Sequence, residues 1–315
     1  MSMITMNSHT PVMVREVLEL LHPQPGEIIV DATVGLGGHS VEIAPRLIPG
    51  GWLIGIDRDP AALETAARRL EQFSGAIRVT LVHADFRELP RVLSERGLEG
   101  ADGILYDLGV SSMQLDSAER GFSFRFDAPL DMRMDPSQPG ITAADIVNRW
   151  SEMDLRRLIQ EYGEEPAAAR IARAIVQNRP ILTTQQLATL VANTVGRRGG
   201  HIHPATRTFQ ALRIAVNREL DGLQEAIEQA VHCLLPGGRI VVLTYHSLEA
   251  RAVKRAFQRL SGRCICPPHV PECQCGAERL IRLMTPHALK PNAEEVAVNP
   301  RSRSAQCRAA ERLAD

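Results

Sequence analysis

A chain of 315 residues is longer than one hydrophobic core usually serves, which predicts a large domain with a smaller lobe. Hydrophobic residues make up 44% and charged residues 23%, a balance that excludes disordered and fibrous proteins and is ordinary for a soluble globular enzyme. The formal net charge of −1 provides no overall basic field of the kind that nucleic-acid-binding proteins often carry.

The composition also bears on compartment. No apolar run approaches the roughly 20 residues needed to cross a bilayer, and the first residues lack the basic and apolar regions of a secretory signal. Six cysteines without an export signal favour a reducing compartment over a disulfide framework. We therefore expect a cytoplasmic protein with no membrane partner.

The first third of the chain alternates β-branched apolar runs with helical patterns. An N-terminal arm and a short amphipathic helix occupy residues 9–22. Strands are predicted at 27–31, 52–57, 77–82 and 103–107, and the helices between them include 59–70 and 88–97. Asp59 before Pro60 is typical of a helix N-terminus. This alternation predicts a parallel sheet with helices on both faces.

The alternation stops after strand four and resumes later. Residues 113–213 contain no convincing strand; an irregular loop at 120–135 precedes helical patterns at 143–149, 154–162, 167–177 and 184–195. A helix near 217–234, a strong strand at 239–245, a helix at 248–260 and strands near 280–284 and 304–308 then complete the sheet. We expect an α/β domain in two parts, 1–112 and 214–315, interrupted by a helical insert at 113–213.

The stretch Asp31-Ala-Thr-Val-Gly-Leu-Gly-Gly-His39 reads as a strand entering a tight turn before a helix. Glycines there let a ligand approach the backbone amides of the helix N-terminus. A dinucleotide fingerprint requires a third small residue in register, and Gly35, Gly37 and Ser40 match it imperfectly. An acid four residues before the first glycine instead fits S-adenosylmethionine, whose ammonium Asp31 could face.

Two further acidic strand ends support this choice of cofactor. Asp57 ends strand two, where an acid binds ribose hydroxyls. Asp85 and Phe86 follow strand three, where an acceptor and an aromatic face suit an adenine ring. A single acid after a strand could serve only solubility. Three acids at successive strand ends beside one glycine loop instead indicate a ligand site, and they favour S-adenosylmethionine over NAD.

Asp107 ends strand four, at the sheet edge where open α/β sheets bind ligands. Methylation at carbon 5 of a pyrimidine requires a cysteine nucleophile, and no cysteine occurs before Cys233. Methylation of an exocyclic amine requires only alignment and a hydrogen-bond acceptor, a role open to Asp107. An equally open alternative is that Asp107 contacts only the cofactor.

Several motifs together resemble one family, the bacterial small-subunit rRNA cytosine-N4 methyltransferases. Besides residues 31–39 they are Asp107-Leu-Gly-Val-Ser-Ser112, Arg120-Gly-Phe-Ser-Phe124, Pro129-Leu-Asp-Met-Arg-Met-Asp135, His203-Pro-Ala-Thr-Arg-Thr-Phe-Gln210, Tyr245-His-Ser-Leu-Glu249 and Asn299-Pro-Arg-Ser-Arg303. The resemblance runs from His9 to Arg312. It implies a class I, Rossmann-like methyltransferase fold with an inserted helical lobe, and N4-methylation of one cytidine in the decoding centre of 16S rRNA.

The resemblance also implies particular site residues. The cofactor residues would be Gly37, Gly38, His39, Asp57, Phe86, Asp107 and Gln114, while the catalytic role predicted for Asp107 rests on the amine chemistry above. Two alternatives remain: an RNA-binding ribosome-assembly factor with a vestigial cofactor site, and a small-molecule methyltransferase whose lobe is a lid. The oligomeric state is left open, with a homodimer among the alternatives.

Three other features have two interpretations each. Phe122 and Phe124 either stack a flipped base or anchor a long loop. Arg207 and Arg213 either clamp phosphates or form surface salt bridges. The pairs Cys264–Cys266 and Cys273–Cys275 either hold a structural zinc or are ordinary thiols; the family resemblance implies no metal.

Overall fold

The computed structural model describes residues 11–196, 203–264, 266, 272 and 274–314. The chain forms two compact units. The first contains the residues up to Gly109 and those from Gly222 onward, and the second is Val110–Asp221. The sequence-based limits of the lobe, 113 and 213, lie inside these bounds, because the loop after strand four and the end of the last lobe helix also pack with the lobe.

The first unit is built on a seven-stranded sheet in the order β3-β2-β1-β4-β5-β7-β6. Strands β1 to β5 pair in parallel, whereas β7 is antiparallel to both β5 and β6. This confirms the predicted α/β fold. The antiparallel direction of β7 was not predicted. The strands are β1 Ile28–Asp31, β2 Trp52–Asp57, β3 Arg78–His83, β4 Ala101–Asp107, β5 Leu234–Thr244, β6 Ile281–Leu283 and β7 Gln306–Arg312.

The helices are numbered along the chain through both units. In the first unit they are α1 Val14–Leu21, α2 Gly38–Ile43, α3 Pro60–Leu70, α4 Leu89–Ser94, α11 Leu223–His232, α12 Ser247–Leu260 and α13 Ala293–Val298. In the second they are α5 Ser112–Asp116, α6 Ala143–Arg149, α7 Glu152–Gly163, α8 Ala168–Gln177, α9 Thr184–Val195 and α10 Thr206–Asn217. In the described residues, no helix is long and apolar enough to span a membrane.

Burial explains why the central strands form. Ile29, Ile54, Ile104 and Val242 are fully buried, as expected for parallel strands with both faces covered. Asp59 accepts a hydrogen bond from Ala61 N at the start of α3, so the predicted cap is confirmed.

Strand register sets the position of the acidic strand ends. Asp31 pairs with Gly55 of β2 and Leu105 of β4, and Asp107 pairs with Leu243 of β5. Because the five strands are parallel, their carboxyl ends meet at one edge, where the loops after β1, β2, β4 and β5 converge.

The second unit has its own hydrophobic core, formed by α6 to α10 and the loop before α6. Asn217 holds that loop, since its side chain donates to Met132 O and accepts from Met134 N. Phe122 is buried in the core, and Phe124 packs edge-on against Phe209 with ring centroids 5.0 Å apart. The two phenylalanines thus anchor the loop, which is the second of the two interpretations that the sequence allowed.

Candidate cofactor site

The glycine loop connects β1 to α2 in a conformation that favours glycine. Gly35 and Gly37 have φ values of +50° and +77°. A Cβ on Gly37 would lie 3.3 Å from Cα of Ala66 in α3, so glycine also permits close packing there. A Cβ on Gly35 would meet nothing closer than Thr33 O at 3.9 Å. The loop therefore leaves open space on the Gly35 side, as a ligand cradle requires.

Asp57 supports this loop from the end of β2. One carboxylate oxygen accepts from Gly35 N at 2.8 Å, and the other accepts from Asp59 N at 2.8 Å. Each oxygen keeps a second lone pair, enough for a pair of ribose hydroxyls. Burial raises the pKa of Asp57 to about 6, which the two backbone hydrogen bonds only partly offset.

Asp31 differs from the expectation that it faces a ligand's ammonium. Its side chain is 1% exposed, and its oxygens accept from Ser40 Oγ at 2.7 Å and from Thr33 N at 3.3 Å. Burial raises its pKa to about 6. Asp31 holds the loop together, and Ser40, which replaces the third glycine of a dinucleotide motif, is its main partner.

Asp85 and Phe86, both predicted to face the adenine ring, have different surroundings. Burial by itself would raise the pKa of Asp85, but hydrogen bonds and charge from Arg87 outweigh it and lower the pKa. Two Arg87 nitrogens donate to the carboxylate at 2.7 and 2.8 Å, and Asp85 caps the short helical turn Phe86–Glu88. Asp85 is thus committed to local structure. Phe86 contacts Tyr106 edge to face, with ring centroids 5.7 Å apart.

Asp107 lies at the centre of the converging loops. Tyr245 OH donates to its Oδ1 at 2.6 Å, and His39 Nε2 lies 3.5 Å from its Oδ2. Its backbone N–H donates to Thr33 Oγ1 at 2.6 Å. The loops after β1, β4 and β5 therefore fix one carboxylate at the edge of the sheet.

The protonation of the two partners follows from burial and charge. Burial and the neighbouring Asp107 carboxylate raise the pKa of Tyr245 well above its usual value, so its hydroxyl stays a donor. Burial opposes charge on His39, but the Asp107 carboxylate 3.5 Å away and other nearby carboxylates outweigh burial and raise the pKa of His39. Tyr245 is therefore a hydrogen-bond donor to Asp107, and His39 places a polar ring beside the same carboxylate.

Sequence reasoning did not assign Tyr245 and Thr33 to this cluster. The signal for Tyr245 was its place directly after β5, the parallel neighbour of β4. Its ring also packs over Gly109, where a Cβ would lie 3.2 Å from Tyr245 Cδ2. Gly109 has a φ of +116°, so both backbone and space require glycine.

Two other predicted cofactor residues have clear local surroundings. Gly38 begins α2, and a Cβ there would lie 2.8 Å from Pro11 Cγ. Gln114 belongs to the second unit, where its side chain accepts from Ser111 N at 3.0 Å and closes the capping box of α5. The roles of Gly38 and Gln114 as cofactor ligands stay predictions.

The site fits a ligand that carries a ribose. A glycine loop with open space is followed by a carboxylate with spare acceptor capacity at the end of β2 and an aromatic ring after β3. Together with the sheet order, this arrangement defines an S-adenosylmethionine-dependent methyltransferase with a Rossmann-like fold. When bound, S-adenosylmethionine supplies an electrophilic methyl group.

The chain belongs to the MraW methylase family, whose model matches residues 6–313. It is 53% identical over 312 residues to a protein of Syntrophotalea carbinolica named ribosomal RNA small subunit methyltransferase H, covering 97% of this chain and 98% of that protein. Proteins with the same name from Thermomicrobium roseum and Geobacter sulfurreducens are 50% and 52% identical. These alignments cover 98% and 97% of this chain, and 94% and 99% of the relatives.

The affinity for S-adenosylmethionine should depend on pH through Asp57. In its predicted role the ionised carboxylate would accept the ribose hydroxyls and suit a cationic ligand, whereas protonation would remove an acceptor and the charge. Since the pKa of Asp57 is raised to about 6, Kd should be flat above about pH 7 and rise below pH 6. The rise should reach up to about tenfold per pH unit. Calorimetric titration between pH 5 and 8 measures this, and a pH-independent Kd would contradict it.

The two arginines proposed as phosphate clamps have different surroundings within the second unit. Arg213 forms a two-pronged pair with Glu219, with nitrogen–oxygen distances of 2.8 and 2.9 Å, and both side chains are largely buried. Arg207 is half exposed; its Nη1 donates to Glu164 O at 3.2 Å and lies 3.8 Å from Glu165 Oε2. Arg213 is thus a structural residue, and Arg207 keeps the exposure that phosphate binding requires.

Replacing Arg213 by alanine should destabilise the protein, because Glu219 would keep a buried charge without its main partner. We expect the free energy of unfolding to fall by about 2–3 kcal/mol. The matched control is Arg149→Ala, which breaks an exposed pair with Asp145 and should cost less than about 0.5 kcal/mol. Urea unfolding followed by circular dichroism compares the two, and equal losses would refute this role for Arg213.

Proposed function

We propose that this protein transfers the methyl group of S-adenosylmethionine to N4 of one cytidine in 16S rRNA, cytidine 1402 of the decoding centre. The observation that carries the proposal is the Asp107 carboxylate at the carboxyl edge of the sheet. Tyr245 OH donates a hydrogen bond to it, and His39 Nε2 lies 3.5 Å from it. The relatives that share about half of the sequence are named as small-subunit rRNA methyltransferases. Such a substrate also implies a cytoplasmic location.

A carboxylate suits the amine chemistry. The N4 lone pair of cytosine is delocalised into the ring, and a hydrogen bond from the N4 amine to Asp107 would orient that lone pair toward the methyl group. As the new carbon–nitrogen bond forms, positive charge develops on N4. A fixed negative group stabilises that charge more in the transition state than in the ground state.

Tyr245 and His39 act through Asp107. The Tyr245 hydroxyl uses one lone pair of the carboxylate, which leaves other lone pairs for the amine. This hydrogen bond and the His39 ring, whose Nε2 lies 3.5 Å away, fix the carboxylate's orientation, so the acceptor need not reorganise during methyl transfer. The N4 proton released after transfer passes to Asp107 and then to solvent, and no covalent bond to the enzyme is needed.

The second unit is proposed to recognise the RNA. Its Arg207 is half exposed and Phe126 is 44% exposed, and these are side-chain types that contact phosphates and stack on bases. The unit also has an independent core, so substitutions on its surface can be tested without disturbing the methyl-transfer residues.

The test is methyl transfer from labelled S-adenosylmethionine to small ribosomal subunits and to free 16S rRNA, both from cells that lack the modification. Nucleoside mass spectrometry should recover label as N4-methylcytidine at one position. Label as 5-methylcytidine or on a ribose would refute the amine mechanism. If Asp57→Ala and Asp107→Ala variants restored cellular function without methylation, the assembly-factor alternative would replace this proposal. Activity only on small molecules would favour the lid alternative.

A further inference from the structure

Three cysteine side chains meet on the segment that joins α12 to β6. The Sγ atoms of Cys264, Cys266 and Cys275 all lie within 4.8 Å of one another. The Sγ atoms of Cys264 and Cys275 are 3.9 Å apart, far beyond the roughly 2.05 Å of a disulfide bond. Cys273, which the sequence pattern also included, lies outside the described residues.

We propose that Cys264, Cys266 and Cys275 bind a structural zinc ion. Zinc–thiolate bonds of about 2.3 Å at tetrahedral angles place sulfur atoms about 3.8 Å apart, close to the distance between Cys264 and Cys275. Three thiolates form a soft donor set that favours zinc over magnesium or calcium. On binding, each thiol releases its proton to solvent and donates an electron pair to the ion, with no change of oxidation state.

Backbone amides around the cluster support thiolate ligands. Cys266 N donates to Cys264 Sγ at 3.4 Å, and Gln274 N donates to Cys266 Sγ at 3.3 Å. Such N–H groups orient metal-bound sulfur and stabilise its negative charge. Both amides belong to described residues of the segment itself, Cys266 and Gln274.

Protein contacts alone close this segment at its base. Ser261 and Arg279 form an antiparallel bridge, and Leu280 N donates to Leu260 O at 2.8 Å. Arg259 Nε donates to Cys275 O at 2.8 Å, and Arg259 also pairs with Glu228 of α11. Because these contacts already order the base of the segment, metal binding would cost less conformational entropy.

The cluster lies far from Asp107, so we assign the ion a structural role. Helix α12 begins next to Tyr245, and its 14 residues span about 21 Å before the cysteine segment. The ion would therefore lie at the end of α12 opposite the Asp107 carboxylate and would clip the segment closed. Its loss should lower thermal stability while leaving S-adenosylmethionine affinity nearly unchanged.

The experiment measures metal content by mass spectrometry on protein made without a polyhistidine tag and without chelators. We expect about one zinc per chain in the wild type and in the control Cys233→Ser, whose thiol lies outside the cluster. Cys264→Ser and Cys275→Ser should each fall below about 0.2 equivalents. S-adenosylmethionine titration of every variant checks that the first unit is folded.

A second measurement does not depend on how the variants fold. Wild-type protein stripped of metal and titrated with Co²⁺ should develop the sulfur-to-cobalt charge-transfer and intense d–d bands of tetrahedral thiolate coordination, which Zn²⁺ should abolish. Wild-type chains that bind well under one equivalent after zinc reconstitution would overturn the proposal. So would cysteine variants that bind as much as the wild type, or a Cys264–Cys275 disulfide in protein purified anaerobically.

Discussion

Replacing Asp107 by alanine is expected to lower kcat for methyl transfer by roughly 100-fold or more, with less than about threefold change in the Kd for S-adenosylmethionine. The reason is that, in the proposed reaction, the carboxylate would interact most strongly with the positive charge that develops on N4 as the bond forms. Single-turnover assays on small ribosomal subunits, together with calorimetric titration of the cofactor, separate the two quantities.

The controls test the cluster around Asp107. Tyr245→Phe keeps the ring that packs over Gly109 and removes only the hydroxyl donor, so kcat should fall by about tenfold with the Kd unchanged. Asp107→Asn keeps the shape of the side chain but lacks the negative charge, and it should resemble Asp107→Ala in kcat. If Asp107→Ala instead weakens cofactor binding and leaves kcat intact, Asp107 is a cofactor ligand only.

Much of the sheet could be predicted because buried parallel strands are apolar runs of a recognisable length. Strand β2 and helices α3, α6 and α9 have the predicted bounds to within a residue. Helix α10, Thr206–Asn217, matches none of the helices predicted above, although Arg207, Gln210 and Arg213 recur at helical spacing. Its start after Pro204 and its buried face depend on packing within the second unit, which local periodicity does not encode.

The site was less predictable than the sheet because sequence does not show which way a polar side chain points. Asp31, Asp57 and Asp107 all end parallel strands, yet Asp31 bonds inward to Ser40 while Asp107 bonds to Tyr245, 138 positions away. The Asp107–Tyr245 contact depends on the pairing of β4 with β5 across the whole inserted unit. Only the three-dimensional fold brings these residues together.

The same limit applies to the arginines of the second unit. Arg207 and Arg213 are six residues apart on α10 and look equivalent in the sequence. Burial separates them, because Arg213 faces the largely buried Glu219 whereas Arg207 is half exposed. At Arg207 a phosphate competes mainly with water, because the contact with Glu165 is long at 3.8 Å, but at Arg213 it must replace the close pair with Glu219 at 2.8 Å. The exposed arginine is therefore the better test of RNA binding.

Replacing Asp57 by alanine is expected to raise the Kd for S-adenosylmethionine by roughly 100-fold, because the two charge-assisted hydrogen bonds that we propose to the ribose, about 1.5 kcal/mol each, would be lost. The substitution also removes the acceptor of Gly35 N, so part of the loss could come from a displaced loop. A ligand-side control distinguishes these effects. S-adenosylhomocysteine and its 2′-deoxy analogue should differ in Kd by about tenfold on the wild type and by less than twofold on Asp57→Ala.

The pH dependence provides a second, independent measure of the same carboxylate. If Asp57 is the group whose protonation weakens binding below pH 6, the Asp57→Ala variant should have a weaker but nearly pH-independent Kd. Asp31 has a similarly raised pKa of about 6, but its carboxylate bonds to Ser40 and Thr33. A pH dependence that survives in Asp57→Ala would therefore assign the titration to the loop anchor Asp31 instead. In that case protonation would weaken binding by loosening the loop, and the ribose contact of Asp57 would have to be judged from the deoxy analogue alone.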